Sequence, residues 1–427
     1  MTASTTDLPP PPAEDRHRPS LHIHPRHGWL NDPNGICRID GRYHVFYQHN
    51  PAGPVHEDVH WAHVSSTDLL CWSDEPIALA PRPDGPDSGG CWSGCVVVDD
   101  GTPTAVYTGA RSSSQDAGVV LAYSDRALRA WTPAPAWTVD TPDDDAISDV
   151  RDPFVFTYDG HRYAVQGAGH QTGRPQLLLY GCDDLAEWVP LGPLLTEDDP
   201  TAAAVAGANI WECPNLFQLG DRWVLILSLW RDHVLSGVRY LEGDLVHAGA
   251  GLRFVARSGG TLDTGPSFYA PQILVEPDRV LLWAWAGEGA ERTSEDVGRA
   301  GWSGALTLPR EVRLEGDTVT LHPARELVGL RRERLGLEAG ALVDAVAFEA
   351  VSRSPLRLVL IAPQGERTEV LASGLGGRLL VDGSMVEYFG PETTYTTRAY
   401  RPADHRWSLE TEGPVELWRL GLGEPDS

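Results

Sequence analysis

The stretch Trp29-Leu30-Asn31-Asp32-Pro33-Asn34-Gly35 places one carboxylate in a segment with little conformational freedom. Pro33 fixes its own φ angle and biases Asp32 toward extended geometry, while Asn34-Gly35 tolerates positive φ. We therefore predict that Asp32 is held in a rigid turn that aims its side chain in one direction. Taken alone, an Asp before Pro is more often a turn former than a catalyst, so the assignment depends on the rest of the chain.

Two further acidic residues stand in similarly constrained segments, Asp152 in Arg151-Asp152-Pro153 and Glu212 in Trp211-Glu212-Cys213-Pro214-Asn215. Together and in this order, the three segments resemble glycoside hydrolase family 32, the invertase and β-fructofuranosidase family. The resemblance extends from about His27 to Trp407. It implies a glycosidase that acts on β-fructofuranosides.

The resemblance also implies a role for each acidic residue. Glycosidic cleavage needs one group that captures or stabilises an oxocarbenium-like carbon and one acid that protonates the leaving oxygen. Carried onto this sequence, Asp32 is the catalytic nucleophile, Glu212 is the acid/base, and Asp152 binds the furanose hydroxyls. Arg151 is a plausible partner that keeps nearby carboxylates ionised. The apolar neighbours of Glu212 in the sequence predict surroundings that favour its protonated form.

Other positions match the family's fructose site through residue types that bind sugar hydroxyls or pack against a sugar ring. These substrate-binding candidates are Asn31, Gln48, His56, Trp61, Trp92, Ser93, Arg151, Cys213 and Tyr269. Any one of them, taken alone, is as compatible with a core residue as with a ligand contact.

The chain departs from the family pattern at positions that are expected to contact the substrate. Members commonly read Trp-Gly where this chain has His56-Glu57, Trp-Gly-His where it has Trp61-Ala62-His63, and Phe-Ser-Gly-Ser where it has Cys91-Trp92-Ser93-Gly94-Cys95. His56-Glu57 predicts a more polar and more acidic pocket, hence an uncharged, hydroxyl-rich fructoside as preferred substrate and discrimination against phosphorylated sucrose. The alternative is that both side chains face solvent and sucrose is cleaved as usual.

The charge balance narrows the function classes. The 427 residues carry 34 basic and 60 acidic side chains, a formal net charge of −26, and every basic residue is Arg because the sequence has no Lys. Such acidity argues against nucleic-acid and anionic-membrane partners, and the absence of Lys excludes Schiff-base chemistry and a Walker-type phosphate loop. An uncharged small-molecule sugar is a compatible partner.

Short apolar or alternating segments separated by Gly, Pro, Asp and Asn predict an all-β fold with many strands. The spacing between Asp32, Asp152 and Glu212 suits blades of four strands, and the resemblance implies a five-bladed β-propeller followed by a C-terminal β-sandwich. We predict a disordered N-terminal tail (1–19), a propeller catalytic domain (20–315), a connector (316–331) and a β-sandwich (332–427).

The remaining features of the sequence predict a cytoplasmic protein without a cofactor. No apolar leader or span of about 18 residues is visible, and the six Cys read as free thiols. His22, His24 and His27 lie close together, but no accompanying Cys or His cluster completes a metal site, so we predict no metal. No dinucleotide or Gly-x-Ser-x-Gly motif appears.

Three alternatives stay open at this stage. A fructosyltransferase on the same scaffold would pass the fructosyl group to a sugar instead of water. An inverting, arabinan-type five-bladed hydrolase is more distant, because the segments around Asp32 and Glu212 differ from that pattern. A sugar-binding propeller without catalysis would be expected to have lost one of these two carboxylates, and both are present.

Overall fold

Short strands alternate with tight turns through residues 15–113, 115–336 and 342–423, the part of the chain that the computed structural model describes. The prediction of an all-β fold is confirmed. The helices are α1 (Pro200–Val205), α2 (Ser294–Ala300) and a 3₁₀ helix (Arg325–Leu330), and within the described residues none is long and apolar enough to span a bilayer. The short helix α2 is fixed at both ends, by a capping box between Thr293 and Asp296 and by Gly301 at φ +72°.

Strands β1 to β22 form five sheets, and their strands pair in antiparallel fashion except for the short strand β19. The first sheet contains β1 (Gly28–Ile39), β2 (Arg42–Asn50), β3 (His60–Ser66) and β4 (Ser73–Leu79). The second contains β5 (Gly90–Asp99), β6 (Thr102–Ala110), β7 (Ala117–Ser124) and β8 (Trp131–Pro133). The third contains β9 (Ile147–Tyr158), β10 (His161–His170), β11 (Pro175–Gly181) and β12 (Val189–Thr196). The fourth contains β13 (Ile210–Leu219), β14 (Arg222–Arg231), β15 (Val234–Ala248) and β16 (Gly251–Thr261).

The fifth sheet lies beside the first sheet, so the last strands of residues 28–323 contact the first strands. It contains β17 (Tyr269–Val275), β18 (Val280–Ala286), β20 (Ala305–Leu306), β21 (Arg310–Glu315) and β22 (Thr318–Pro323), whereas β19 (Trp302–Ser303) pairs in parallel with β1 of the first sheet. The first strand of each sheet contacts the first strand of the next, and β17 contacts β1. These five strands therefore lie in a cyclic order.

Two further sheets pack face to face at the C-terminal end. One contains β23 (Arg331–Leu335), β25 (Ala347–Ser352), β28 (Gly377–Asp382), β29 (Met385–Phe389), β30 (Thr394–Arg398) and β32 (Val415–Leu420). The other contains β24 (Leu342–Val343), β26 (Leu356–Ile361), β27 (Arg367–Ala372) and β31 (Arg406–Thr411). Alternate residues of both sheets, such as Phe348, Val381, Leu358 and Trp407, share one buried core.

A β-bulge interrupts the first strand of each of the five N-terminal sheets. At Asn31-Asp32, Trp92-Ser93, Asp152-Pro153, Cys213-Pro214 and Ala270-Pro271, two residues of the first strand face one residue of the second. The sequence predicted a turn around Asp32, and the structure corrects this to a bulged strand. Pro33 directly follows the bulge and stays paired with Tyr47, so the strand continues past Asp32, and a bulge re-aims the side chains beside it.

Gly35 is required by packing beside the first of these bulges. It has φ +53°, as the sequence predicted, and a Cβ atom placed on it would lie 2.7 Å from Val96 Cγ2 of the second sheet. The glycine thus permits the close approach of two first strands.

Two predicted boundaries differ from the observed elements. Residues 316–323 of the predicted connector include β22, which pairs along its whole length with β21, so the link to the C-terminal sheets is the 3₁₀ helix. Residues 1–14 of the predicted tail lie outside the described residues. Residues 15–19 contact the folded body, because the Trp302 indole N–H and the Arg292 guanidinium donate to the Asp15 carboxylate.

Buried ion pairs join the two halves of the chain. His22 lies between the carboxylates of Asp382 (2.8 Å) and Glu387 (3.1 Å), and the guanidinium of Arg310 contacts Asp263 (2.8 Å) and Glu387 (3.1 Å). Burial lowers the pKa of His22, but its two carboxylate partners outweigh this effect and raise the pKa to about 9. His22 thus forms ion pairs with two carboxylates of the C-terminal sheets. This contact gives a structural role to one of the three clustered N-terminal histidines.

Candidate active site

A cavity of about 610 Å³ is lined by side chains from all five N-terminal sheets. The three acidic residues that the sequence singled out, Asp32, Asp152 and Glu212, all line it. They belong to β1, β9 and β13, the first strands of the first, third and fourth sheets. Asp32, Asp152 and Glu212 are 120 and 60 positions apart in the sequence. They meet because each lies at or beside the bulge in the first strand of a different sheet.

Asp32 is held at both carboxylate oxygens. Its Oδ2 accepts a hydrogen bond from Ser93 Oγ (2.7 Å), and its Oδ1 accepts one from Asn31 Nδ2 (3.1 Å). Gln48 completes the support, because its Oε1 accepts from Asn31 Nδ2 (2.9 Å) and its Nε2 donates to Ser93 Oγ (2.7 Å). Trp29 Nε1 donates to Asn31 Oδ1 (3.0 Å). The carboxylate therefore has one defined orientation.

The surroundings of Asp32 favour its protonated form. Burial raises the pKa of Asp32 to about 7, the hydrogen bond from Ser93 opposes this rise, and the negative charges of Asp152 and Glu212 add to it. Perturbed carboxyl groups that share a cleft are typical of functional sites.

Asp152 occupies a strained backbone position. It has φ +61°, a left-handed conformation that few non-Gly residues adopt, and its Oδ2 accepts from the backbone N–H of Cys213 (2.9 Å). Burial raises the pKa of Asp152 to about 6 against the opposing charge of Arg151, and Glu212 contributes to the rise. The thiol of Cys213 lies 3.6 Å from both Asp32 Oδ2 and Asp152 Oδ2, so it packs between two carboxylates.

Glu212 is surrounded by hydrogen-bond donors. The prediction of apolar surroundings, which was made from its neighbours in the sequence, is therefore wrong. Its Oε1 accepts from Arg151 Nε (3.0 Å) and Nη2 (2.9 Å), and its Oε2 accepts from the Tyr269 hydroxyl (2.5 Å). The prediction failed because Trp211 faces the core, where it is fully buried, while β13 directs Glu212 to the opposite face. Arg151 contacts Glu212 directly, as well as Asp149 at 3.7 Å.

The predicted substrate-binding residues divide into two groups. Asn31, Gln48, His56, Trp92, Arg151 and Tyr269 line the cavity. Ser93, Cys213 and Trp61 are buried behind it. Ser93 and Cys213 contact Asp32, whereas Trp61 has no exposed surface and donates its indole N–H to the Trp92 carbonyl (3.0 Å). The expected sugar contact of Trp61 is therefore corrected to a supporting role beneath Trp92.

His56 and Glu57 behave differently from each other. The His56 ring lies at the mouth of the cavity, 6.2 Å from the Trp29 ring in an edge-on arrangement. Glu57 is exposed and is not among the described residues that line the cavity. The prediction that Glu57 adds a carboxylate to the pocket is therefore wrong. Asp149 of β9, which the sequence analysis did not name, lines the cavity instead.

The sequence interpretation missed one wall of the cavity. Its members are apolar or aromatic side chains of the fourth and fifth sheets together with one imidazole, namely Ile210, Trp230, His233, Leu235 and Trp285. Trp29, which was quoted only as part of the motif, lines the cavity as well. Trp230, His233 and Leu235 lie on the hairpin of β14 and β15, outside the motif segments, so motif matching could not find them.

Comparison with known proteins agrees with this geometry. Residues 22–323 match the model of the "Glycosyl hydrolases family 32 N-terminal domain". A sucrose-6-phosphate hydrolase of Klebsiella pneumoniae is 37% identical over 337 residues, which cover 75% of this chain and 70% of that protein. A raffinose invertase of Escherichia coli is 34% identical over 339 residues, which cover 74% of this chain and 66% of that protein.

Solved structures extend the similarity to the whole fold. The family 32 β-fructofuranosidase BmSUC1 of Bombyx mori superimposes with a TM-score of 0.79 at 26% identity, covering 95% of this chain and 94% of that one. The fructan 1-exohydrolase IIa of Cichorium intybus superimposes with a TM-score of 0.78 at 22% identity over 96% and 99% of the two chains, and at that identity it informs the fold alone. These neighbours consist of a β-propeller and a β-sandwich.

Proposed function

The chain belongs to glycoside hydrolase family 32 and is a hydrolase of the β-fructofuranosidase type, and from this premise we propose that it releases fructose from β-fructofuranosides by a retaining, double-displacement mechanism. The observation that carries the proposal is the cavity in which Asp32, Asp152 and Glu212 converge from three sheets. Two carboxylic groups suffice for this chemistry when one is a fixed nucleophile and the other can exchange a proton.

In the first step, an oxygen of ionised Asp32 attacks the anomeric carbon of the fructosyl group. The bond from that carbon to the leaving oxygen breaks, and protonated Glu212 transfers its proton to this oxygen. The donors from Ser93 and Asn31 fix the carboxylate of Asp32 for the attack. The products are a fructosyl ester of Asp32 and a free leaving-group sugar.

In the second step, water attacks the anomeric carbon of the ester. Ionised Glu212 accepts a proton from this water, the ester bond breaks, and Asp32 regains its negative charge. Arg151 and Tyr269 donate to the two oxygens of Glu212 and hold its carboxyl group in place between the steps. Asp152, fixed by the backbone N–H of Cys213, is placed to accept hydrogen bonds from furanose hydroxyls.

The test of this function is fructose release from sucrose, inulin-type and levan-type oligosaccharides, followed by methanolysis. Retention requires that methanol, added as a competing acceptor, gives the methyl β-fructofuranoside. Formation of the α product would rule out double displacement, and absence of fructose release from every substrate would rule out the proposed activity. Excess transfer to sugar over hydrolysis would favour the fructosyltransferase alternative.

We expect an uncharged substrate to be preferred over a phosphorylated one. Among the described residues that line the cavity, Asp32, Asp149, Asp152 and Glu212 carry carboxylates and Arg151 alone carries a permanent positive charge. The negative charge that a phosphate adds to the neutral sugar would be repelled there. Measured kcat/KM should therefore be higher for sucrose than for sucrose 6-phosphate, and the reverse order would contradict the proposal.

Substitution His56→Trp should change the ranking of substrates. The imidazole of His56 is a small ring that offers a hydrogen-bond donor and an acceptor at the cavity mouth. The indole of the variant would present a flat apolar surface there instead. We expect kcat/KM for sucrose relative to inulin-type and levan-type oligosaccharides to change several-fold. Glu57→Gly is the matched control, because Glu57 is exposed beside the same mouth. An unchanged ranking in His56→Trp would show that this position does not set specificity.

The acidic limb of the pH profile should report the ionisation of Asp32. Because attack requires the carboxylate and its pKa is raised to about 7, kcat/KM is expected to fall as the pH drops through about 7. In Asp152→Asn, one of the negative charges that raise this pKa is lost. The residual activity of this variant should therefore show the limb at lower pH, and a limb that stays in place would contradict the assignment.

We also propose that the five N-terminal sheets are the blades of a five-bladed β-propeller. The cyclic order of their first strands supports this count. On this proposal the propeller extends from about residue 20 to Pro323, and the two C-terminal sheets form the β-sandwich from Arg331 onward.

A further inference from the structure

Polar side chains lie on the face of the first sheet that packs against the second sheet. On β2 and β3, His44 pairs with Ser65 and Phe46 pairs with His63, so these four side chains share one face. Phe46 contacts Trp131 of the second sheet edge-on at 5.6 Å. A buried polar group costs free energy unless it is hydrogen-bonded, so two buried histidines in a contact between sheets call for an explanation.

The two histidines form a hydrogen-bonded pair whose protons can be placed. Nδ1 of His44 lies 3.0 Å from Nε2 of His63. Burial lowers the pKa of His44 to about 4 and that of His63 to about 3, so both rings are neutral at pH 7 and each carries one proton. Nδ1 of His63 is buried and has no partner among the described residues, and a proton there would be an orphaned donor. His63 therefore donates through Nε2, and His44 carries its own proton on Nε2.

A cavity of about 260 Å³ adjoins this pair, and none of the described residues lines both this cavity and the catalytic one. His44 lines it together with Arg42, Arg126 and Arg129. The His44 side chain belongs to a residue that is only 4% exposed, and nothing in the described part of the chain accepts a hydrogen bond from its Nε2. The imidazole thus brings an unpartnered N–H donor to the cavity.

Two of the guanidinium groups at this cavity have carboxylate partners. Arg126 donates through Nε to Asp40 (3.1 Å), and Nε of Arg129 lies 3.3 Å from a carboxylate oxygen of Glu75. Both carboxylates line the cavity as well. The remaining N–H groups of these two arginines are donors that the ion pairs do not occupy.

Arg42 is the cation at this cavity that lacks an ionic partner. Its Nη1 donates to the hydroxyl of Ser65 (3.0 Å), and within the described ranges it forms no ion pair. Three guanidinium groups therefore face two carboxylates, which leaves a local excess of positive charge in a protein whose formal net charge is −26. Such a lining, rich in donors and positively charged, is suited to an anion.

We propose that this cavity binds a phosphate group, either inorganic phosphate or the phosphate of a small ester, through the guanidinium of Arg42 and the Nε2–H of His44. A guanidinium offers two parallel N–H groups to a phosphate, and the imidazole adds a third donor. With the free donors of Arg126 and Arg129, the lining offers more N–H groups than the two oxygens of a carboxylate ligand accept. The inference does not depend on the proposed function, because neither Arg42 nor His44 lines the catalytic cavity.

The test is calorimetric titration of the full-length protein with sodium phosphate at pH 7, with the ionic strength held constant by sodium chloride. We expect one phosphate to bind per chain, and Arg42→Gln to raise Kd at least about tenfold, the size of a lost charge-assisted hydrogen bond. Arg42→Lys, which keeps the charge but not the fork, should give an intermediate Kd. The fold should survive both changes because no ion pair is lost, and the unfolding midpoint in chloride checks this.

Arg239→Gln is the matched control, because Arg239 is half-buried like Arg42, forms no ion pair in the described part of the chain and does not line this cavity. Titration with glycerol phosphate distinguishes the two sources, since tighter binding than that of inorganic phosphate would identify an ester as the ligand, and weaker binding the free anion. In the ¹⁵N-labelled protein, phosphate should shift the Nε2–H resonance of His44, which is identified by its loss in His44→Gln.

Three results would overturn the assignment. The first is that the wild-type protein binds neither phosphate nor glycerol phosphate. The second is that Arg42→Gln and Arg239→Gln bind phosphate as the wild type does, which would place the anion elsewhere. The third is that the resonance of His44 does not move at saturating phosphate.

Discussion

Asp32→Asn is expected to lower kcat by several orders of magnitude while the fold survives. An amide cannot act as the nucleophile that forms the fructosyl ester, so the first displacement is lost. The substitution is nearly isosteric, and the carbonyl oxygen of the new side chain can still accept from Ser93. Turnover of sucrose at substrate saturation is the measurement, with folding checked by the thermal unfolding midpoint.

The same variant should be stabilised relative to wild type as the pH rises. The pKa of Asp32 is about 3.8 in an unfolded chain and about 7 in the folded protein, so between these values the folded state holds a proton that the unfolded state releases. The stability contributed by this proton is present at low pH and is lost as the pH rises through about 7. Between pH 5 and pH 8 the loss amounts to about 2 to 3 kcal/mol of unfolding free energy.

Chemical denaturation of both proteins at pH 5 and pH 8 checks this expectation. Comparing the two pH values removes any pH-independent cost of the lost hydrogen bond from Asn31. Asp221→Asn is the control, because Asp221 is exposed in a turn at the far end of the strand that carries Glu212. Near-normal turnover by folded Asp32→Asn would contradict the nucleophile assignment, and equal pH dependence in all three proteins would contradict the raised pKa.

Three short segments in a fixed order were enough to find the chemical groups at the centre of the site. Asp32, Asp152 and Glu212 were found because the segments that carry them together resemble one family, whereas Asp32-Pro33 alone indicates a turn. Their convergence could be expected from a regular spacing of strands. What the local sequence could not provide was the shape of each segment, since a Pro next to the key residue predicts a turn and a bulge equally well.

Contacts between distant strands explain the errors. Trp61 and Trp92 are of the same residue type, but Trp61 is covered by the second sheet and Trp92 faces the cavity. The surroundings of Glu212 come from Arg151 and Tyr269, which are 61 and 57 residues away. Neighbours in sequence therefore gave the wrong environment.

Glu212→Gln is expected to slow hydrolysis of sucrose by about 10²- to 10⁴-fold, the usual contribution of a general acid/base group. The effect should depend on the leaving group. A poor leaving group such as glucose needs the proton of Glu212, whereas fluoride departs without it, so formation of the ester from fructosyl fluoride should be slowed far less.

A second variant separates this role from a merely structural one. In Glu212→Ala, hydrolysis of the ester is slow because no base accepts the proton of water. Azide needs no base, so added azide should restore turnover of fructosyl fluoride and give fructosyl azide as the product. Arg151 and Tyr269, which donate to Glu212 in the wild-type protein, lose their partner in this variant, and azide is an anion that can enter the vacated space beside them. Equal slowing of sucrose and fructosyl fluoride in Glu212→Gln, without rescue of Glu212→Ala by azide, would show that the proton passes through another group.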